Sequence, residues 1–141
     1  MWTISATART SATTSQVWKI YCDVINWPQW DHGLSLYQPE GPFATGTTGE
    51  LQPVGGPKLP FSLIQVNEEQ SFVDRTPIGP DHAIIGRHEL TAISEGTQIT
   101  HTIEIHGPDA ERLAHEMGFK EEELFDTVSS LAKYAEEIHQ N

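Results

Sequence analysis

Basic residues are scarce in this 141-residue sequence: eight Lys and Arg stand against twenty Asp and Glu, a formal charge of −12 with histidine neutral. Binding to phosphates needs a basic stripe, and here the few cations are scattered, so nucleic acid and anionic membranes are excluded as natural partners. Cysteine is rarer still. Cys22 stands alone, so there is no intrachain disulfide and nothing that points to an oxidising compartment. Long apolar runs are also missing: residues 1–10 alternate rather than forming a signal-like stretch, and nothing approaches the roughly 18 apolar residues of a membrane span. Catalytic signatures are absent too. There is no His-Glu-x-x-His, no Gly-x-Ser-x-Gly elbow and no Gly-rich phosphate loop, and Cys22 has no partner at ligand spacing, so neither a metal nor a cofactor is expected. The expectation is one cytoplasmic domain over residues 1–141, monomeric or homodimeric. Hydrophobic residues are only 37% of the chain, yet this length can bury one core, or one core with a hole in it.

What is present has a clear order. Trp2, Ile4, Ala6 and Ala8 alternate with polar residues, as in a half-buried strand. Thr13 and Gln16 have capping-box spacing, and Val17, Ile20, Tyr21 and Val24 follow at helical intervals. Pro28 stops that helix by Asn26, and Asn26 is positioned to cap a second short helix through Trp30 and Asp31. Residues 34–38, 46–53, 59–66, 71–76, 82–93 and 97–106 read as six further strands separated by Gly and Pro turns. From Asp109 to about His139 one helical stripe runs through Leu113, Met117, Leu124, Val128, Leu131, Ala135 and Ile138, with Gly118 expected to kink it rather than divide it. Its opposite face is acidic: nine carboxylates against three cations after residue 108 carry about half the net charge. A solvated surface is the simplest use of that face.

Register can be read from the turns. A turn centred on Glu95-Gly96 pairs Ser94 with Thr97, setting Arg87 opposite Glu104 on a solvated face and Thr91 opposite Thr100. The other face then collects Ile84, Gly86, His88, Leu90 and Ala92 against Ile99, His101, Ile103 and Ile105. On this register the two histidines lie diagonally, about 7–8 Å apart. Turns at Glu68-Glu69 and over residues 77–81 set Leu63 against Asp74, Gln65 against Phe72, and Asp74 against Ile84. Asp74 thus shares the inward face at a strand end, too far along to meet His88, where a carboxylate ordinarily reaches solvent or a backbone amide.

This element order is matched by particular residues: Val17-Trp18 through Asp23-Val24-Ile25-Asn26-Trp27-Pro28-Gln29-Trp30-Asp31, Glu40-Gly41-Pro42-Phe43 with Gly46-Thr47-Thr48-Gly49, Gly96-Thr97-Gln98-Ile99-Thr100-His101-Thr102, Gly107-Pro108-Asp109-Ala110, and Leu131-Ala132-Lys133-Tyr134-Ala135-Glu136. With these pieces the chain resembles the START-like, or Bet v 1-like (SRPBCC), superfamily, and within it bacterial polyketide cyclase/dehydrase-type proteins. The resemblance implies an α+β helix-grip fold: a seven-stranded antiparallel curved sheet around a long C-terminal helix, with two short helices after the first strand. It also implies an apolar cavity between sheet and helix that holds a hydrophobic small molecule. The expected lining is Trp27 and Trp30 at its end, Phe61, Leu63, Phe72, Ile84, Leu90, Ile99 and Ile103 on the sheet, and Met117, Leu124 and Val128 on the helix. Seating the short helices is the alternative role for the two tryptophans.

Only acid–base chemistry remains open to these residues. A buried imidazole is kept neutral by desolvation and can exchange a proton near pH 7, which makes His101 and His88 the catalytic candidates, with Asp74 as an orienting group. A structural histidine on the sheet wall is the competing reading. Three functions stay open: an enzyme that cyclises or dehydrates a polyketide-like or aromatic substrate, a carrier that needs only shape and apolar walls, and a regulatory module acting through the acidic helix face.

Overall fold

The computed structural model describes residues 1–139. Its first strand, β1 (Trp2–Thr10), leads into helix α1 (Thr14–Cys22). Thr13 and Gln16 close the expected capping box: the Thr13 hydroxyl accepts from the Gln16 amide at 3.1 Å, and the Gln16 side chain accepts from the Thr13 amide at 2.9 Å. Helix α1 buries Val17, Trp18, Ile20 and Tyr21. The second helical piece is a 3-10 turn, Val24–Gln29, starting before the expected Asn26 cap. The Asn26 amide instead donates to the Asp23 carboxylate at 2.9 Å. Pro28 lies inside this turn, whose short hydrogen-bonded run loses little to one missing donor.

Strands β2 (Leu34–Pro39), β3 (Thr48–Pro53), β4 (Leu59–Asn67), β5 (Ser71–Ile78), β6 (His82–Ile93) and β7 (Gly96–His106) complete a curved seven-stranded sheet in the order β1-β7-β6-β5-β4-β3-β2, antiparallel throughout. Helix α3 (Glu121–Ile138) lies against β1 and β7, and the 3-10 turn lies against β2. No helix is long and apolar enough to cross a membrane among the described residues.

Four expectations differ from the observed structure. The β6–β7 hairpin turns at Ser94-Glu95, so Ile93 pairs with Gly96, and every partner moves by two positions. A shift of two preserves each side chain's face but changes its neighbour. Arg87 therefore lies opposite Thr102, and its long side chain still reaches Glu104 diagonally at 2.8 Å; Thr91 meets Gln98 rather than Thr100, and Ala92 is exposed. Gly96 has φ +143° and sits against the Thr10 backbone, leaving no room for a Cβ, which ties the hairpin to the end of β1 and sets the turn one residue early.

The β4–β5 pairing begins as expected with Leu63 opposite Asp74, but an irregularity between Leu63 and Gln65 brings Val66, not Gln65, to Phe72. Asp74 faces Gly86 rather than Ile84.

The C-terminal segment is two helices, α2 (Ala110–Glu116) and α3, not one kinked helix. Gly118 adopts φ +76° as the left-handed residue of a Schellman ending: its amide bonds His115 O, and the Phe119 amide bonds Ala114 O, both at 3.1 Å. The apolar phase survives across this break only in the sequence. Leu124, Val128, Leu131 and Ala135 are buried, whereas Met117 and Ile138 are 40% and 46% exposed. Helix α3 restarts from extended Lys120, with Glu121, Glu122 and Glu123 in its first turn, where the helix dipole favours negative charge.

Candidate functional site

Strand pairing arranges the inner face of the sheet in cross-strand rows. One row reads Thr76, Ile84, Ile105, Trp2; the next Asp74, Gly86, Ile103, Ile4; the next Phe72, His88, His101, Ala6. The buried apolar side chains form two groups that meet these rows differently. The larger holds Trp18, Tyr21, Trp27, Trp30, Tyr37, Phe61, Phe72 and the buried face of α3. The smaller is Ile105, Ala110 and Ala114, with Trp2, Ile84, Leu113 and Phe119 packed against it. Around the seam between them, Asp74, Gly86, His88 and Ile103 are only half-buried.

The two histidines stand directly opposite each other, ring centroids 4.7 Å apart. His101 is buried, and its Nε2 shares a 2.8 Å hydrogen bond with the Tyr21 hydroxyl from α1. His88 stacks flat on Phe72, centroids 3.9 Å apart and 6° between planes. Its Nδ1 lies 3.3 Å from the Phe72 carbonyl. A carbonyl only accepts, so Nδ1 carries the proton and Nε2 is the basic nitrogen of the neutral ring. Burial holds His88 below the ordinary imidazole range, while Asp74 and the Phe72 carbonyl pull it upward. His101 is held well below that range by burial, and then by His88.

Asp74 is a second polar centre, joined to the first. The Tyr37 hydroxyl donates to its Oδ2 at 2.8 Å. Burial raises the carboxyl, against the lowering effects of His88, the Tyr37 hydroxyl and the Gly86 amide. Asp31 adds a second carboxyl, which burial pushes up to about 6, opposed by the Gly33 amide and His32 and reinforced by Asp74. Its Oδ1 accepts from Gly33 N at 3.1 Å. Among the described residues, no three His, Cys, Asp or Glu side chains are grouped to hold a metal ion. The arrangement can accept, hold and return a proton beside apolar walls.

Residues 1–136 match the family described as polyketide cyclase / dehydrase and lipid transport. The chain belongs to that family. Among curated proteins, none matches the chain. Solved structures share the fold at low identity. A protein from Nitrosomonas europaea has 18% identity and TM-score 0.75, with 99% of this chain and 97% of that one covered. A Thalictrum norcoclaurine synthase point mutant, in complex with a transition-state analogue, has 15% identity and TM-score 0.74, covering 99% and 96%. DynU16, from the dynemicin biosynthetic locus, has 21% identity and TM-score 0.71, covering 95% of this chain and 47% of that one. The helix-grip, Bet v 1-like fold is thereby established.

Within this cyclase/dehydrase-family chain the expected residues separate by burial. Trp27, Trp30, Phe61, Leu63, Phe72, Leu90, Ile99, Leu124 and Val128 all lie in the larger core group. Ile84 and Ile103 are half-buried near the seam, and Met117 is exposed at the end of α2. Two open grooves lie elsewhere: one of about 730 Å³ between the start of β1 and α2, and one of about 540 Å³ between β1 and the start of α3. Neither touches a histidine of the inner rows, so the His88 seam is the better chemical site. The sequence reading missed Tyr21, Tyr37 and Asp31. Tyr21 and Tyr37 read as apolar packing, and their hydroxyl partners, His101 and Asp74, are 80 and 37 residues away. Asp31 closes the Trp-Pro-x-Trp segment, and a carboxylate directly after a buried tryptophan was the available signal.

Trp30 Nε1 is a buried donor with no hydrogen-bond partner among the described residues. By contrast, Trp27 Nε1 donates to Tyr21 O at 2.9 Å.

Proposed function

We propose that the inner face of the sheet binds an apolar, aromatic or polyketide-like small molecule over the Asp74–Gly86–Ile103 row, and that His88 exchanges a proton with it through Nε2. The observation that carries this reading is His88 itself: a half-buried imidazole with one nitrogen committed to a backbone carbonyl and its ring fixed by stacking. In a cyclisation, Nε2 takes a proton from a carbon between two carbonyls. The freed electron pair forms the new carbon–carbon bond at a second carbonyl carbon, and the proton returns to the resulting alkoxide. Binding supplies the folded conformer that brings the two carbons together. His101, tied to Tyr21, holds the neighbouring wall, and burial keeps His88 from charging at rest. Carriage without turnover is the second reading, supported by the family's pairing of cyclase chemistry with lipid transport.

Native mass spectrometry of the purified protein tests binding: a retained apolar molecule is expected, and a chain that retains none and binds no poly-β-ketone would overturn both readings. Incubation with a linear poly-β-ketone then separates them. Cyclised product lost in His88→Gln, with binding kept, supports proton transfer; equal turnover by the variant refutes it, and binding without product leaves the carrier.

A further inference from the structure

We infer that Tyr37 and Gly86 are positioning residues that park the Asp74 carboxylate beside His88; this rests on His88 as the proton-transfer group. Gly86 occupies the interior of a strand, where glycine weakens the sheet and commonly marks a close approach, and its φ lies outside the left-handed region, so backbone conformation does not require it. Space does. A Cβ on Gly86 would stand 2.5 Å from Asp74 Oδ1 and 3.2 Å from His88 Cε1. The volume a methyl group would take is therefore filled by the carboxylate on one side and the imidazole edge on the other.

Tyr37 fixes the other oxygen. It reaches Asp74 from β2, at the far edge of the sheet, and its ring is clamped between Trp27, at 3.7 Å and 7°, and Phe61, at 4.5 Å and 25°. A hydroxyl on so confined a ring holds its 2.8 Å bond to Oδ2 with little rotamer freedom left to lose. One carboxylate oxygen thus belongs to Tyr37, and the other lies over Gly86 toward His88.

Groups from several elements face His88. Asp74 acts from β5, His101 from β7, Tyr21 from α1 at 5.9 Å, and Trp27 from the 3-10 turn at 6.3 Å, with Phe72 stacked beneath. Asp31 bears on Asp74 from the segment after that turn. Among the described residues Asp74 supplies the one negative charge acting directly on the ring, so it stabilises the imidazolium formed when Nε2 takes a proton, against burial. Tyr37, by favouring the ionised carboxylate, and Gly86, by admitting it, act through that charge without touching a substrate.

The test is an ¹⁵N–¹H NMR titration of the histidine rings in the full chain, needing no substrate. In Asp74→Asn and Gly86→Ala the His88 midpoint should fall by about one pH unit, within the range expected for losing a close opposite charge. Tyr37→Phe should give a smaller fall. Unmoved His88 midpoints in Asp74→Asn and Tyr37→Phe would overturn the inference even if stability fell, because a structural role alone lowers stability and not the midpoint. Should Gly86→Ala fail to fold, the other two variants decide. A wild-type chain without turnover, but with the predicted shifts, would sink the catalytic reading and leave the support of His88 by Asp74 standing.

Discussion

Replacing Asp31 with Asn should stabilise the protein, and the size of the gain should depend on pH. The carboxyl has an ordinary value of 3.8 and is pushed up to about 6, mainly by burial. Two pH units correspond to about 3 kcal/mol of cost for keeping the folded group ionised. Solvent reaches part of this half-buried side chain, so the realised gain should be roughly 1–3 kcal/mol. Asn retains an oxygen for the Gly33 amide, which now donates to Oδ1 at 3.1 Å, and it removes the charge that repels Asp74. The sign follows from proton binding. Between 3.8 and about 6 the folded wild type holds a proton at Asp31 that the unfolded chain has released, so the wild-type penalty is complete above pH 6 and vanishes below 4. Urea denaturation of both chains at pH 8, 6 and 4.5 should therefore show Asp31→Asn ahead by roughly 1–3 kcal/mol at pH 8, with the lead shrinking as pH falls. Pairwise comparison cancels the depressed histidines His88 and His101, which cost both chains stability once pH drops below the free imidazole value of about 6.5. A variant less stable than wild type at pH 8, or a lead independent of pH, would refute the assignment of Asp31 as a strained carboxylate.

Two further substitutions probe the frame around the site. Tyr21→Phe keeps the ring among Trp18, Trp27, Trp30 and Phe72 but leaves the buried His101 Nε2 without its 2.8 Å partner, and should cost about 1–3 kcal/mol in urea denaturation at pH 7.5; a loss under about 0.5 kcal/mol would mean another group satisfies that nitrogen. Gly118→Ala places a Cβ on a residue at φ +76° and should lower stability by about 1–2 kcal/mol, whereas Gly118→Asn, better tolerated in that conformation, should lose less by calorimetry; an alanine variant as stable as wild type would show that the α2–α3 break does not depend on the left-handed ending.

The strands were legible because period-two alternation and Gly-Pro punctuation are local signals, and their predicted spans differ from the observed ones by two residues or fewer. Which face each side chain takes was also legible, since every misplaced pairing in the β5–β6–β7 ladder was wrong by two. Partners were not. The turn at Ser94-Glu95 is selected by contact between Gly96 and Thr10, which sequence spacing does not contain, and that choice separates a diagonal pair of histidines from a facing one. A separate displacement of two residues, in the β5–β6 hairpin, set Asp74 over Gly86. Gly118 misled for a related reason: its helical phase is intact in the sequence, but a glycine two residues past Glu116 can end a helix as readily as loosen it, and only the hydrogen bonds to Ala114 and His115 decide. Tyr37 was out of reach, since its ring joins the aromatic stack while its hydroxyl serves a strand across the sheet.

The rows of the inner face also give the sheet a built-in ruler. Successive rows are two residues apart along a strand, about 7 Å, whereas neighbours across strands are about 5 Å apart. The carboxylate row and the imidazole row are adjacent on that scale. Asp74 on β5 and His88 on β6 are diagonal neighbours, so a molecule meets that pair only when it lies oblique to the strands, and one lying straight across them meets His88 and His101 at the shorter interval. Orientation on the sheet, rather than overall size, is what distinguishes these two encounters.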